Sequence, residues 1–284
     1  MSSLFPLPSP TLPECKSLLL KGTYHPSAPI HLCLTHVANR PDTTALFFTP
    51  SRHTFLSALR DYQDDWLEEC GGYGAVFSVL SKVNIYYPPT PLHLSLALSM
   101  LKVSDAVGDD LSLPHQAILG SPPSLLVLHE LSSYFLDNPA LAPTLASYLS
   151  LVALALASVT ALSTQHPQCP TTLVLIDSRI DSLKLPVLKH PFPIVDEPES
   201  DSSDASYKVG FLAQSYFEWV GTFESQAPRT DLSASKVTGS SHELRLHQVR
   251  MREDSSEDVI FRWRVRKELP RKTPGRQRSV FIWN

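Results

Sequence analysis

The sequence is poor in charged residues, cysteine and glycine. Asp, Glu, Lys and Arg make up 18% of its 284 residues, against about 25% in an average soluble domain, which excludes a coiled coil and a charge-rich disordered chain. Four widely separated cysteines lack the paired spacing of zinc and redox sites, so we expect a reducing compartment and no disulfide framework. Ten glycines beside 25 prolines exclude a collagen-like rod.

Apolar residues, by contrast, make up 43% of the chain, which is enough for a hydrophobic core. The length suits one large domain or one domain with an appendage. Residues 1–13 lack the basic region of a signal peptide. Residues 138–176 contain no charged side chain, and residues 145–162 would just span a bilayer. Their serines and threonines and the lack of flanking Lys or Arg favour a helix buried against a sheet, with a membrane span as the alternative.

Charge is distributed unevenly along the chain. Residues 259–284 contain eight of the 24 basic residues but only one of the 28 acidic ones. This segment therefore carries +7, while residues 1–258 carry −11. The basic tail is the first indication of an anionic partner.

Strand-length apolar runs alternate with helix-length segments through the first two thirds of the chain. Continuous apolar strands separated by helices indicate an α/β fold, with a mostly parallel sheet covered by helices on both faces. We expect residues 61–74 to form a surface excursion and residues 105–123 a loop. The predicted strands are residues 17–20, 45–48, 83–87, 125–128 and 172–176, and the predicted helices are residues 30–39, 52–60, 92–101 and 141–163.

The last third of the chain has another character. Residues 196–206 are acidic and rich in serine, which predicts a linker. Residues 207–223 and 243–251 alternate well enough to predict antiparallel strands. The chain is therefore divided into a Pro-rich segment 1–14, a core 15–195, the linker 196–206 and a C-terminal β extension 207–284 that ends in the basic tail.

A glycine between the first strand and the first helix marks the position of a phosphate-binding loop. Such a loop needs backbone N–H groups around the phosphates, a lysine for the β- and γ-phosphates and a Ser or Thr for magnesium. Gly22 and Thr23 open the segment, but Ala28 stands at the second glycine, Pro29 at the lysine and Ile30 at the hydroxyl. Proline also lacks an N–H. The loop has therefore lost the chemistry of phosphate binding.

The acid that would hold magnesium is expected at the end of a later hydrophobic strand. The run 125–128 ends at His129 and Glu130, and His129 stands at the position of the metal-binding aspartate. With both elements changed, we expect neither ATP hydrolysis nor a bound cofactor. The pair is interpreted as a remnant of a lost metal site or a satisfied core pair; a catalytic pair is the alternative, because α/β folds place catalytic groups at strand ends.

Several short segments carry a family resemblance. The most distinctive are Tyr87-Pro88-Pro89-Thr90 after the third strand and Tyr134-Phe135-Leu136-Asp137 after the fourth. Together with residues 18–23, 45–49 and 123–128, they resemble the SWIM-domain zinc-finger-associated protein of the Shu complex, a RecA-fold relative of the eukaryotic recombinase and its paralogues. The resemblance covers roughly residues 15–195.

The resemblance implies a degenerate RecA-like P-loop NTPase core in residues 15–195. It also implies a nuclear, non-catalytic factor that supports recombinase filaments in homologous recombination. The partners it implies are a SWIM-domain zinc-finger protein, the RecA-type recombinase and single- or double-stranded DNA. The family's lysine and aspartate have no counterpart at Pro29 and His129, so its ATPase activity is not carried over. An ATP-dependent P-loop enzyme with an atypical loop and an α/β scaffold in an unrelated complex are the alternatives.

Two groups of basic residues are candidates for DNA contact. Residues 261–266 alternate strictly, so Phe261 and Trp263 would face the core while the arginines contact phosphates without stacking on bases; the alternative is a strand whose arginines are simply solvated. By resemblance, the loop after the fifth strand would also reach DNA, with an ordinary surface loop as the alternative. The candidates are Arg262, Arg264, Arg266, Lys267, Arg271 and Lys272 in the tail, and Arg179 and Lys184 in the loop.

Other kinds of site are not expected. His31 and His36 are five residues apart and would not share a helix face, and no Cys or acidic residues stand at ligand spacing, so we expect no metal site. The sequence has no Gly-x-Ser-x-Gly elbow of a serine hydrolase. Phe55 and Ala58 match the Phe-x-x-Ala pattern by which recombinases dock partners, but one such match is expected by chance, so we assign the segment to core packing.

Overall fold

The computed structural model describes most of the chain. Within the described residues the chain folds into thirteen β-strands and eight α-helices. The described ranges are residues 2–6, 9–62, 64–103, 118–119, 121–136, 143–187, 206–226, 239–249, 258–268 and 278–283.

Strands and helices alternate through the first two thirds. The strands there are β1 (Ser17–Gly22), β2 (Thr44–Phe48), β3 (Val83–Tyr86), β4 (Lys102–Val103), β5 (Ile118–Leu119), β6 (Pro123–His129) and β7 (Thr172–Asp177). The helices are α1 (Ala28–Ala38), α2 (Arg52–Tyr62), α3 (Asp65–Cys70), α4 (Gly74–Leu80), α5 (Pro91–Ser99), α6 (Ser133–Leu136) and α7 (Leu145–Gln165). The last third contains β8 (Lys184–Pro186), β9 (Ser206–Lys208), α8 (Val209–Ala213), β10 (Trp219–Gln226), β11 (Gly239–Gln248), β12 (Val259–Glu268) and β13 (Arg278–Trp283).

Nine of the described strands form one mixed sheet, in the order β13-β12-β11-β10-β1-β7-β6-β2-β3. Neighbours from β10 to β3 run parallel, whereas β10, β11, β12 and β13 pair antiparallel. Two short pairs, β4–β5 and β8–β9, lie outside this sheet. The α/β class and the mostly parallel sheet predicted from the sequence are confirmed.

The central strands are apolar throughout because both of their faces are covered. Leu19 of β1 packs into one core together with Tyr148 of α7. Leu18 and Leu20, which point to the other face, pack into a second core together with Leu32 of α1. Alternate residues of β1 therefore pack into two different cores, one on each face of the sheet.

Helix α7 begins later than the predicted residue 141. Thr144 and Ser147 form a capping box, in which the Thr144 hydroxyl accepts from the Ser147 N–H (3.2 Å) and the Ser147 hydroxyl accepts from the Thr144 N–H (2.9 Å). Among the described helices, α7 is long and apolar enough by length and composition to cross a membrane. Its most apolar 18 residues have a mean hydropathy of 2.0, and 39% of them are buried.

The prediction of antiparallel strands over residues 207–223 is confirmed only at the two ends of the segment. The segment forms β9, which pairs antiparallel with β8, then α8, a 3₁₀ turn and the start of β10, which pairs antiparallel with β11 and parallel with β1. Its buried apolar residues Val209, Ala213 and Phe217 are spaced by four. This is the period of a helix rather than of a strand.

The prediction that residues 61–74 form a surface excursion is wrong at Asp64. This carboxylate is buried, caps α3 by accepting from the Leu67 N–H (3.1 Å) and lies 2.6 Å from His31 Nε2. Burial by itself raises the pKa of Asp64, but the hydrogen bond and charge of His31 outweigh it and lower the pKa to about 2. The carboxylate is tolerated in the core because these partners satisfy it.

The N-terminal segment packs against the end of the chain. Leu4 and Phe5 are buried in the second core. The ring of Phe5 lies 4.8 Å from that of Trp263 on β12 and 4.9 Å from that of Trp283 on β13, measured between centroids. This contact joins the first residues of the chain to the last strands of the sheet.

Candidate functional site

Gly22 ends β1 with a φ of 90°, in the left-handed region that favours glycine. A Cβ at this position would lie 2.5 Å from the backbone oxygen of Phe223 in β10. The close approach of β10 therefore explains this glycine, which sequence reasoning placed at the start of a phosphate-binding loop.

The start of α1 offers few backbone donors to an anion. The Ser27 N–H donates to His25 Nδ1 (3.3 Å), and the Ala28 N–H donates to the carbonyl of His25 (2.9 Å). Pro29, at the next position, has no N–H. Lys21, which precedes Gly22 in β1, forms an ion pair with Asp181 (3.2 Å). Ala28, Pro29 and Ile30 are themselves buried in the first turns of the helix.

A cleft of about 710 Å³ opens at the carboxyl ends of the parallel strands, where α/β folds bind their ligands. It is lined by the loops that follow β1, β2, β3, β6 and β7, and by α2. Among the described residues lining it, Glu130 and Arg179 carry formal charges of opposite sign. Most of the remaining surface is hydroxyl, proline and aromatic. The cleft is therefore close to neutral.

A chain of hydrogen bonds crosses the floor of this cleft. The hydroxyl of Tyr24, in the loop after β1, donates to the Glu130 carboxylate at the end of β6 and lies 2.8 Å from His129 Nε2. His129 Nδ1 lies 2.9 Å from the hydroxyl of Thr49. The single O–H of Tyr24 is used in its hydrogen bond to Glu130. His129 Nε2–H must therefore be the donor to the Tyr24 oxygen, and Nδ1 accepts from the Thr49 hydroxyl. Each polar group of the network is satisfied.

Burial fixes the protonation of this network. Desolvation lowers the pKa of His129 to about 4, although the nearby Glu130 opposes the shift. The ring also packs against Phe47 and Phe55, with centroids 5.4 Å and 5.3 Å away. Burial, together with Glu130, raises the pKa of Tyr24 well above 10. The imidazole of His129 and the phenol of Tyr24 are therefore both neutral at the strand end where a phosphate-loop enzyme has a metal-binding acid.

The end of β7 adds a second acid that the sequence analysis missed. Asp177 is fully buried and accepts from the backbone N–H of Ser132 (2.8 Å) and of Arg179 (3.1 Å). Burial, and then the charge of Glu130, raises its pKa to about 7. A signal was available, because Asp177 directly follows an apolar strand, as His129 does.

The strand-end pair His129 and Glu130 is brought together with Tyr24, which sequence reasoning did not single out. Of the two earlier interpretations, the geometry fits a satisfied core pair that borders a cleft. Phe55 is buried in the second core, so its assignment to core packing is confirmed.

The candidate DNA contacts on β12 lie on an exposed sheet face. Arg262 and Arg264 are exposed, whereas Trp263 is buried and Phe261 packs against the second core, so the predicted alternation is confirmed over residues 261–264. Glu243 on β11 accepts from Arg262 Nε (2.9 Å) and from Arg245 Nη2 (3.1 Å). For Arg266 and Lys267 only the strand backbone is described, and Arg271 and Lys272 lie outside the described residues.

The two candidates from the loop after β7 lie in different settings. Arg179 lines the cleft, where its Nη2 donates to the Ser133 hydroxyl (2.6 Å). Lys184 is exposed on β8, opposite Lys208 of β9. The structure therefore does not gather Arg179 with the arginines of β12 into one site.

The histidines singled out earlier are structural in this fold. His36 is buried between the hydroxyls of Ser2 (2.8 Å) and Ser124 (3.0 Å), and burial lowers its pKa to about 4. Across the described part of the chain, no group of three or more His, Cys, Asp or Glu side chains is placed to hold a metal ion.

Comparison of the chain with protein-family models and with curated proteins finds no match.

Proposed function

We propose that the chain is a non-catalytic RecA-type factor, a pseudo-ATPase, that supports homologous recombination repair in the nucleus. The observation that carries the proposal is the hydrogen-bonded network of Tyr24, His129 and Glu130. The loop after β1 and the end of β6 meet at one edge of the sheet, as a nucleotide site requires. There they bond to one another instead of presenting a lysine and a metal-binding acid.

The two most distinctive segments of the resemblance support the same proposal. Pro89 and Thr90 of the first and Tyr134 of the second line the cleft. The Tyr134 hydroxyl donates to the carbonyl of Pro88 (2.6 Å), so the two segments contact each other. Residues that carry the resemblance thus border the cleft at the carboxyl ends of the strands.

The electrostatics of the cleft argue against nucleotide turnover. A nucleoside triphosphate needs cations and N–H donors around its phosphates. Here Arg179 is offset by Glu130, and positions 27–29 present no free N–H. Function would then come from surfaces: one for a SWIM-domain zinc-finger partner, one for the recombinase, and the exposed arginines of β12 for DNA.

Nucleotide binding tests the pseudo-ATPase part of the proposal. Isothermal titration and a turnover assay with Mg-ATP should both give no signal for the full chain. Magnesium-dependent affinity and turnover that disappear in Glu130→Gln would instead favour an ATP-dependent P-loop enzyme with an atypical loop.

Co-purification tests the partner. Tagged full-length chain should carry a SWIM-domain zinc-finger protein, and loss of the chain should sensitise cells to DNA damage. Neither outcome is expected of an α/β scaffold in an unrelated complex.

DNA binding tests the outer face of β12. Each phosphate contact contributes about 0.9 to the slope of log affinity against log salt concentration on duplex DNA. Arg262→Ala together with Arg264→Ala should therefore lower the slope by about 2. Arg60→Ala, which removes an exposed arginine from α2, is the matched control and should leave the slope unchanged. Equal slopes for the two variants would show that β12 does not contact DNA.

A further inference from the structure

The turn after β7 is held by carboxylates from two different strands. Asp177, at the end of β7, accepts from the backbone N–H of Arg179 (3.1 Å). Glu130, at the end of β6, accepts from the backbone N–H of Ser178 (2.9 Å) and from its hydroxyl (3.0 Å). Two successive backbone N–H groups of this turn are therefore bound by side chains rather than by a strand or a helix.

Glu130 adopts a backbone conformation that costs free energy. Its φ of 52° is positive, and it is the one non-glycine residue with positive φ in the described part of the chain. Such strain persists where surrounding contacts determine the conformation. Here the Glu130 N–H donates to the carbonyl of Ile176 (2.8 Å), while the side chain reaches the turn after β7.

Tyr24, in the loop after β1, holds the Glu130 carboxylate. Its hydroxyl donates to the carboxylate oxygen that also accepts from the Ser178 N–H. The contact joins three loops, those after β1, β6 and β7, whose parent strands lie in the order β1-β7-β6. In a ligand-binding α/β protein, these are the loops that a bound ligand would hold together.

We propose that Glu130, held by Tyr24, positions the turn after β7 and the Arg179 side chain in place of a bound ligand. Arg179 Nε lies 4.0 Å from Glu130, and its Nη2 donates to Ser133 at the start of α6. The guanidinium is thereby held where it lines the cleft. The edge of the sheet is ordered by the chain's own side chains. The proposal rests on the proposed function in one respect, that no nucleotide occupies the cleft.

Backbone amide exchange of the full-length protein tests this positioning role. Glu130→Ala removes the acceptor of the Ser178 N–H and should speed exchange in residues 178–183 about tenfold, with α7 unchanged. Glu130→Gln keeps an acceptor oxygen and should largely restore protection. Tyr24→Phe should also speed exchange in this segment, whereas Tyr62→Phe, the same change at an exposed position of the same cleft, should not.

Three outcomes would overturn the proposal. Equal exchange of residues 178–183 in Tyr24→Phe and Tyr62→Phe would show that Tyr24 does not hold Glu130. A uniform rise in exchange over the whole sheet in Glu130→Ala would limit Glu130 to a contribution to global stability. Protection of the turn by added Mg-ATP in the wild type would assign the positioning to a ligand. The two outcomes that concern the variants leave the proposed function untouched, whereas protection by Mg-ATP would overturn both proposals, so the two failures are distinguishable.

Discussion

Acidification should remove stability that the buried neutral histidines provide. His25, His36 and His129 each have a pKa lowered from 6.5 to about 4, and burial is the main cause in all three. A histidine with a lowered folded-state pKa binds its proton more readily when unfolded. Its contribution to stability is therefore complete above pH 6.5 and is lost as the pH falls towards 4.

The magnitude follows from these values. At pH 5, a group with a pKa of 6.5 unfolded and about 4 folded costs about 2 kcal/mol relative to pH 7.5. Replacing His129 by glutamine removes one such group without introducing a charge. The loss of unfolding free energy between pH 7.5 and pH 5 should then be about 2 kcal/mol smaller in His129→Gln than in the wild type.

Urea unfolding at the two pH values measures this difference. Comparing the pH effect in each protein cancels any loss that the substitution itself causes at both pH values. His53→Gln, which changes a histidine on the exposed side of α2, is the matched control and should reproduce the wild-type pH effect. A pH effect in His129→Gln within about 0.5 kcal/mol of the wild type would contradict the argument, because His129 would then not be a buried neutral group.

Three further substitutions test other parts of the structure. Asp177→Asn should change the pH effect in the direction opposite to that of His129→Gln. Burial and then the charge of Glu130 raise the pKa of Asp177, so its protonation stabilises the fold as the pH falls, and the variant should lose more unfolding free energy than the wild type between pH 7.5 and pH 5 in the same urea experiment; an equal loss would contradict this. Gly22→Ala should lower the free energy of unfolding in urea by about 2–4 kcal/mol, because it combines a positive φ with a contact to the β10 backbone. In the control Gly72→Ala, the added methyl group meets no atom within 4 Å, so the loss should be small. Equal losses in the two variants would refute the role of β10. Phe5→Ala should cost about 3–5 kcal/mol in the same assay, because it empties a site between Trp263 and Trp283; an unchanged midpoint would show that the N-terminal segment does not support the C-terminal strands.

The central sheet was predictable because its signal is local. Uninterrupted apolar runs such as Leu18–Leu20 and residues 125–128 are typical of strands that are covered on both faces. Strand patterning was misleading only in the middle of residues 207–223, where Val209, Ala213 and Phe217 have the period of a helix between two strands. The helix there, α8, is only five residues long, and so few residues do not show a helical period clearly in the sequence.

The candidate site was predictable in position but not in composition. The sequence located the loop after β1 and the end of β6, because these positions follow from strand order along the chain. It did not indicate Tyr24, which is remote from Glu130 in sequence and contacts it across β7. Nor did it show that Glu243 would bind two arginines, since that contact depends on the register between β11 and β12.

By itself, the sequence determined the α/β class, the alternation of the β12 strand and the residue types at Pro29 and His129, neither of which is the lysine or the aspartate of a phosphate-loop enzyme. Each of these depends on residue type and on spacing along a few neighbouring positions. Only the tertiary structure decided why Gly22 is required, where the Tyr24 hydroxyl goes and which carboxylates hold the turn after β7. Those features depend on which strands become neighbours, and neighbours in a sheet are set by packing over the whole chain rather than by any local pattern.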